Sequence, residues 1–425
     1  MKIVGVAVVL SLLAYPAAAV PQVVDPKTVV VEIAGTIEES YFDTTAGNAV
    51  AAALRSEAAA GLYDQHTDAN GLATALTQRL RPLDGHFGVA APAAPTPGGE
   101  APPQIGYEDQ VRRINFGFRS VDILPGNIGY IDLRFFPDID FDDPESPERR
   151  AADAALQTVA HTDAVIVDLR DNGGGSPPMA SYLASAFLPP DSNAYMIERH
   201  RSGEVVSLRP SKSVERPRLN VPVVIMISAR SASAAEALPY MLQAAGRAVI
   251  VGQPSHGGAS LARPETTASG FTVFVPYAAT ISPLTNSSWE GHGVIPDVEG
   301  PIAGARDHAW ALALRMVLEQ GAPEAVANEN RWILETLEAP RFAPPLDSYP
   351  GQYGDVKIHA DGERLIYRQG LRPPWVLRAL SSDLFTVENE PTQRVRFNRD
   401  ERGQISGLNV LWSEGSTSPP AQRQP

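Results

Sequence analysis

Residues 165–175 read VIVDLRDNGGG, and residues 227–252 read ISARSASAAEALPYMLQAAGRAVIVG. Each stretch carries an apolar, β-branched run straight into a chemically loaded turn. The first turn ends in Gly173, Gly174 and Gly175, whose backbone N–H groups are not crowded by side chains. The second places Ser233, flanked by alanines, just ahead of a run with helical spacing. Glycine amides beside a serine at a helix N-terminus are the parts of an oxyanion hole and its nucleophile. Both turns also have a plainer reading. Serine is a preferred N-cap residue, and consecutive glycines simply permit a tight turn. The buried-type strand before each turn, and the presence of both turns in one chain, favour the catalytic reading. Ser233 is then the nucleophile, and Gly174 or a neighbouring glycine an oxyanion donor. Asp168 and Arg170 read as structural.

Working outward, apolar strands alternate with helices: Ile128–Phe136, a helix from Ser146 to Val159, Val165–Leu169, a helix from Pro178, Val221–Ile227, the Ser233 helix, and Ala248–Val251. This pattern implies an α/β core with parallel pairing. Ile114–Phe118, Phe271–Pro276 and Ala279–Ile281 also read as strands, and Gly304–Gln320 as a helix. Before the core, apolar residues at helical spacing predict three helices ending at Pro82. After it, short strand-like runs alternate with Gly, Asp and Asn turns and predict a small antiparallel β domain. The expected organisation is a signal peptide over 1–19, a helical domain over 20–90, an Ala/Pro-rich linker over 91–108, the core over 109–325, the β domain over 345–415 and a disordered polar tail over 416–425.

The 425 residues are 44% hydrophobic and 20% charged, with a net charge of −14 and no basic block. That composition is globular, and it excludes nucleic acid as an expected partner, because phosphate binding needs clustered Lys and Arg. Met1-Lys2, the apolar run Ile3–Leu13 and Ala17-Ala18-Ala19 form a secretory signal pattern. Export to the periplasm or the extracellular space is therefore expected, without stable membrane insertion. There is no cysteine, so thiol nucleophiles, thiolate metal sites and disulfides are excluded.

The base is the discriminating question. The only lysines are Lys2, Lys27, Lys212 and Lys357, and none lies in a core turn, so a serine–lysine dyad is not expected. Histidine takes its place. His66, His161, His200, His308 and His359 read as surface or helix positions, whereas His86, His256 and His292 lie in glycine-containing turns. His86, in LDGHFGV, is the first choice and the other two are alternatives. Glu290, in WEGHGVIPD, is placed to orient an imidazole or simply to face solvent. No two histidines sit at zinc-ligand spacing on one helix, so neither a metal nor another cofactor is expected.

DLRDNGGG, SASAAEALPYMLQAAGRAVIVG and WEGHGVIPD together resemble the C-terminal-processing (tail-specific) serine protease family, whose core has the ClpP/crotonase-like fold. The likeness runs from about Val29 to Pro301, and LDGHFGV with the preceding helices resembles the retinoid-binding-protein-like branch. The resemblance implies Ser233 as nucleophile and the N–H of Ala234, with a glycine of 173–175, as oxyanion hole. Two departures stand out. The lysine of most members falls on Gly258 here, and the family's PDZ domain is lacking. The branch similar to the tricorn core uses a histidine and a glutamate instead, and these fall on His86 and Glu290. A serine that precedes that histidine is Gly85 here.

The expected function is thus an exported serine peptidase acting on a polypeptide, with a histidine base. The alternative is a non-catalytic binder of hydrophobic ligands or peptides on the same fold. An acyl-CoA enzyme is a weaker option, since no CoA-binding signature is present.

Overall fold

The computed structural model describes residues 24–92, 105–340, 342–362 and 364–425. The expected signal peptide and linker residues 93–104 lie outside the described residues. At the centre is a six-stranded sheet in the order Val298–Glu299, Val249–Gly252, Val223–Ile227, Ala164–Asp168, Ile128–Leu133, Phe118–Leu124. All neighbours are parallel except the last pair, a hairpin through Pro125-Gly126-Asn127.

Every residue of the two middle strands is buried, because helices cover both faces. Val165, Val167, Val223, Ile225 and Ile227 pack with the helices Pro147–Thr158, Pro177–Ala184 and Ala234–Ala244. Ile166, Val224 and Met226 point the other way, against Ala305–Glu319 and Glu324–Glu338. The period-two side-chain alternation of a strand makes both faces apolar. Each fully buried aliphatic side chain contributes roughly 1.5–3 kcal/mol. Asp168 pairs with Met226, so the glycine turn and the serine turn leave adjacent strands at the same edge of the sheet. That edge, the carboxyl end of a parallel sheet, is where such folds bind ligands.

The three N-terminal helices, Pro26–Ser40, Thr44–Ala59 and Ala69–Leu80, bury Val30, Ile33, Leu54, Leu72 and Leu76 against Phe271, Val273 and Val275. They are thereby fixed to the strand Thr272–Ile281. The next segment, Gly88–Ala90, pairs antiparallel with Thr272–Phe274 of that strand. Thr77 pins it, its hydroxyl accepting from Val89 N–H at 2.9 Å. LDGHFGV therefore ends inside a second sheet belonging to the core.

Several local expectations are corrected. Ile114–Phe118 is not a strand. Tyr107–Arg113 is helical, so the expected start of the core at 109 falls within a helix, and Asn115, Phe116 and Gly117 all have positive φ. They turn the chain so tightly that a Cβ on Gly117 would lie 2.1 Å from the Phe135 carbonyl oxygen. Phe271–Pro276 and Ala279–Ile281 are parts of one strand. Glu324–Glu338 is a further helix, which buries Ala327, Ile333 and Leu334.

The tail is the largest correction. The C-terminal sheet has eight antiparallel strands in chain order, from Gly351–Tyr353 to Ala421–Gln422. Ala421–Gln422 pairs with Gly407–Leu408 on one side. On its other side Gly354 N–H donates to the Gln422 carbonyl (3.0 Å) and Gln424 N–H to the Gln352 carbonyl (2.7 Å). The expected disordered tail is thus the strand that closes the sheet into an up-and-down barrel, which removes both edges. Tyr349, Tyr353, Phe385 and Phe397 fill its interior with mutually tilted rings. Arg394 docks the barrel onto Glu324–Glu338. It donates to the Trp332 carbonyl (2.7 Å) and lies 4.0 Å from the Trp332 ring centroid.

Candidate active site

Ser233 stands at φ 57°, ψ −120°. Ser233 is the N-cap of the helix Ala234–Ala244 and forms a capping box with Glu236, but its backbone departs from the extended conformation at negative φ usual for an N-cap. A non-glycine residue held there carries backbone strain of about 1–3 kcal/mol and persists only where its surroundings enforce it. Glu236 does so. Its side chain is fully buried, and Oε2 accepts from Ser233 N–H (2.8 Å) and Gly258 N–H (2.9 Å). Oε1 accepts from Ser255 Oγ and Gly257 N–H, both at 2.6 Å. One carboxylate thus fastens the serine turn to residues 255–258. Sequence reading used Glu236 only as a landmark. The signal available was a carboxylate on an otherwise apolar helix face.

Ala234 is the first residue of its helix, so its N–H has no acceptor within it. Gly174 faces it: a Cβ there would lie 3.3 Å from Ala234 N and 2.6 Å from the Ala232 carbonyl oxygen, at φ 106°. Only glycine fits. The Gly174 N–H, however, already donates to Asn172 Oδ1 at 2.8 Å. The expected Gly174 donor is therefore engaged inside its own turn, because one N–H makes one strong hydrogen bond. Its contribution here is the close approach of its backbone to Ser233.

His86 reaches the same region from the N-terminal unit. Phe87 is buried beside Tyr41, with ring centroids 5.0 Å apart, and Gly88 begins the strand described above. The imidazole Nδ1 lies 3.2 Å from Asp84 Oδ1 and 3.5 Å from Glu290 Oε1. Asp84 Oδ1 also accepts the His86 backbone N–H at 2.9 Å. Glu290 is fixed by its other oxygen, which accepts from Ala259 N–H and Ser260 N–H at 2.7 Å each. Burial pushes the His86 pKa down, but the hydrogen bond to Asp84 and the neighbouring charges of Glu290 and Asp84 outweigh it and raise it from 6.5 to about 9. Burial pushes Glu290 up, and His86 with the two backbone donors takes it below the usual carboxylate value. Asp84 was missed in the sequence, although its position two residues before His86 in a turn allows this contact.

Nε2 faces Gly258: a Cβ on that glycine would sit 3.3 Å from Nε2 and 3.6 Å from Glu236 Oε2. Ser233 N–H and Gly258 N–H share Glu236 Oε2, which ties the glycine facing the ring to the serine turn. Among the described residues the ring makes no direct hydrogen bond to Ser233. The other two histidines do not join this cluster. His256 and His292 are exposed, and His292 Nδ1 lies 2.7 Å from the Gly293 carbonyl oxygen.

Residues 127–300 match the model of peptidase family S41. A carboxy-terminal-processing protease of Bartonella bacilliformis is 29% identical over 187 residues, 41% of this chain and 39% of the relative. Carboxyl-terminal-processing peptidase 3, chloroplastic, of Arabidopsis thaliana is 27% identical over 172 residues, 40% of this chain and 31% of the relative. The chain thus spans about two fifths or less of these relatives. Among solved structures, the photosystem II D1 C-terminal processing protease matches at 23% identity and TM-score 0.33, covering 41% of this chain and 42% of that one. A lipoprotein of Streptococcus agalactiae matches at 14% and 0.43, covering 71% and 98%. The likeness to peptidase family S41 thus lies in the α/β core, residues 127–300. No helix among the described residues is long and apolar enough to cross a membrane.

Proposed function

We propose that this protein is a serine-type peptidase that cleaves polypeptides with Ser233 as nucleophile and His86, in place of a lysine, as base. In this reading Nε2 takes the proton of Ser233 Oγ as the hydroxyl attacks the peptide carbonyl. Asp84 accepts Nδ1–H and fixes the tautomer, and the charges of Asp84 and Glu290 stabilise the imidazolium that forms. The oxyanion is met by the Ala234 N–H at the helix N-terminus and by an N–H of the 173–175 turn, with Gly173 or Gly175 taking the part that Asn172 denies Gly174. The acyl-enzyme is then hydrolysed by water, with His86 as base again.

The observation that carries this reading is the imidazole clamped between two carboxylates, its Nε2 beside the glycine that takes the lysine's place. The units divide the work accordingly: the helical unit delivers His86, the core supplies Ser233 and Glu290, and the barrel is a filled, separate module. Export through cleavage of residues 1–19 is part of the proposal and rests on the sequence pattern alone.

A fluorophosphonate probe tests the reading. Wild type should be labelled, Ser233→Ala should not, and His86→Ala should be labelled at least about a hundredfold more slowly. Equal labelling of wild type and Ser233→Ala overturns the nucleophile. Loss of labelling in Lys212→Ala but not His86→Ala overturns the base. An unlabelled wild type, with tryptophan quenching by an apolar ligand, supports the non-catalytic binder instead.

A further inference from the structure

Two carboxylate oxygens face the single proton of His86 Nδ1. Nδ1 carries a single hydrogen and cannot form linear bonds to Asp84 Oδ1 and Glu290 Oε1 together. Glu290 Oε1 is in fact buried without a hydrogen-bond partner, although its carboxylate is ionised and its other oxygen accepts twice. Nδ1 stands 3.2 and 3.5 Å from the two carboxylate oxygens, and one donor atom each from Asp84, His86 and Glu290 lies within 4.8 Å of the others. A four-coordinate zinc ion with bonds of about 2.0–2.2 Å holds its ligands about 3.3 Å apart. Two of the three separations already have that value.

We infer that Asp84, His86 and Glu290 bind a divalent cation of the zinc class, and that the bound ion switches the catalytic base off. Two carboxylates and one imidazole, without thiolate, suit zinc and leave a fourth position for water. Metal binding through Nδ1 needs its lone pair, so an imidazolium gives up the Nδ1 proton to solvent, whereas the neutral Nδ1–H ring moves that proton to Nε2 through solvent with no net release. The neutral ring then keeps its hydrogen on Nε2, the atom that must accept the proton of Ser233. A metal on Nδ1 therefore converts Nε2 from acceptor to donor. The metal site stands on the donor geometry alone, whereas its inhibitory effect rests on the peptidase reading above.

The test separates the two. Full-length protein is titrated with zinc chloride against a chromophoric chelator, and its melting temperature is followed with and without zinc. Wild type should take up one zinc ion per chain and melt higher with it. Asp84→Asn, Glu290→Gln and His86→Gln should each bind at least about tenfold more weakly while remaining folded by circular dichroism. Fluorophosphonate labelling of Ser233 should slow with zinc and recover with chelator. Folded wild type without zinc uptake, or uptake unchanged in the three variants, overturns the site. Uptake with undiminished labelling overturns the switch. Absent labelling even without zinc sinks the peptidase reading, and with it the switch, but leaves the uptake result to decide the site.

Discussion

Gly258 and His86 compete for one small volume: a Cβ on Gly258 would stand 3.3 Å from His86 Nε2. The resemblance puts a lysine at Gly258, and here the stem of that lysine would run into an imidazole arriving from another part of the chain.

This relationship predicts that Gly258→Ala displaces the ring. Gly258 is not at positive φ, so the added methyl acts through contact rather than backbone strain. Labelling of Ser233 should fall at least about tenfold, equivalent to roughly 1.4 kcal/mol of transition-state stabilisation, with little change in melting temperature. Unchanged labelling would show that the ring does not need that position.

Glu236→Gln should be costly without removing any candidate catalytic atom. Each Glu236 oxygen accepts two hydrogen bonds, so a side-chain NH2 in either place faces two donors. Loss of two bonds to a buried carboxylate predicts about 3 kcal/mol of destabilisation in urea unfolding. It also predicts slower labelling at temperatures where the protein is still folded, because the Ser233 backbone loses its acceptor. An unchanged urea midpoint would refute this account of the carboxylate.

The His86 ring predicts an alkaline profile in chelator-treated protein. A base works in its neutral form, so labelling should rise with pH and reach half its plateau near pH 9. Asp84→Asn or Glu290→Gln removes an anion that favours the protonated ring and should shift the midpoint towards acid. The stability sign follows: the folded value lies above about 6.5 in the unfolded chain. The stabilisation is fully present below that pH and is lost as pH rises through about 9. Glu290, held low, acts oppositely and loses its contribution as pH falls. A profile whose midpoint ignores both variants would exclude this assignment.

Truncation after Pro420 should open the barrel. It removes the strand that bridges Gly407–Leu408 and Gln352–Gly354, together with Arg423, which donates to the Pro350 carbonyl at 2.8 Å. The aromatic interior would then sit behind two free edges. Limited proteolysis should cut residues 345–420 much faster than in full-length protein, while Ser233 labelling stays within about twofold because the core has its own hydrophobic cluster. Equal proteolysis rates would mean that closure contributes nothing.

The parallel core was legible in the chain because its strands are buried on both faces, so Val165–Asp168 and Val223–Ile227 announce themselves as apolar runs ending in turns. The three N-terminal helices and Ser146 as a cap were legible for the same local reasons; Ser146 Oγ accepts from Arg149 N–H at 3.2 Å. Ile114–Phe118 misled because its apolar content outweighs, in a local reading, a run of positive-φ residues enforced by packing on Phe135. The tail misled because polar residues with few apolar neighbours become a strand only when two edges are waiting for one.

For the candidate site, the sequence by itself determined the chemistry on offer: a serine between alanines, a glycine turn, no lysine where one belongs, and a histidine among glycines. Tertiary structure decided the partners. Asp84 and Glu290 lie about two hundred residues apart in the chain, yet both contact Nδ1, because the strand Gly88–Ala90 joins the core sheet and carries the His86 turn to residues 258–260 and 290. Glu236 became a hub only once backbone donors from 233, 257 and 258 converged on it. Spacing along a chain reports which groups exist and which local structure they favour. The fields that orient a base come from residues brought together by sheet pairing, and that pairing is a property of the whole fold.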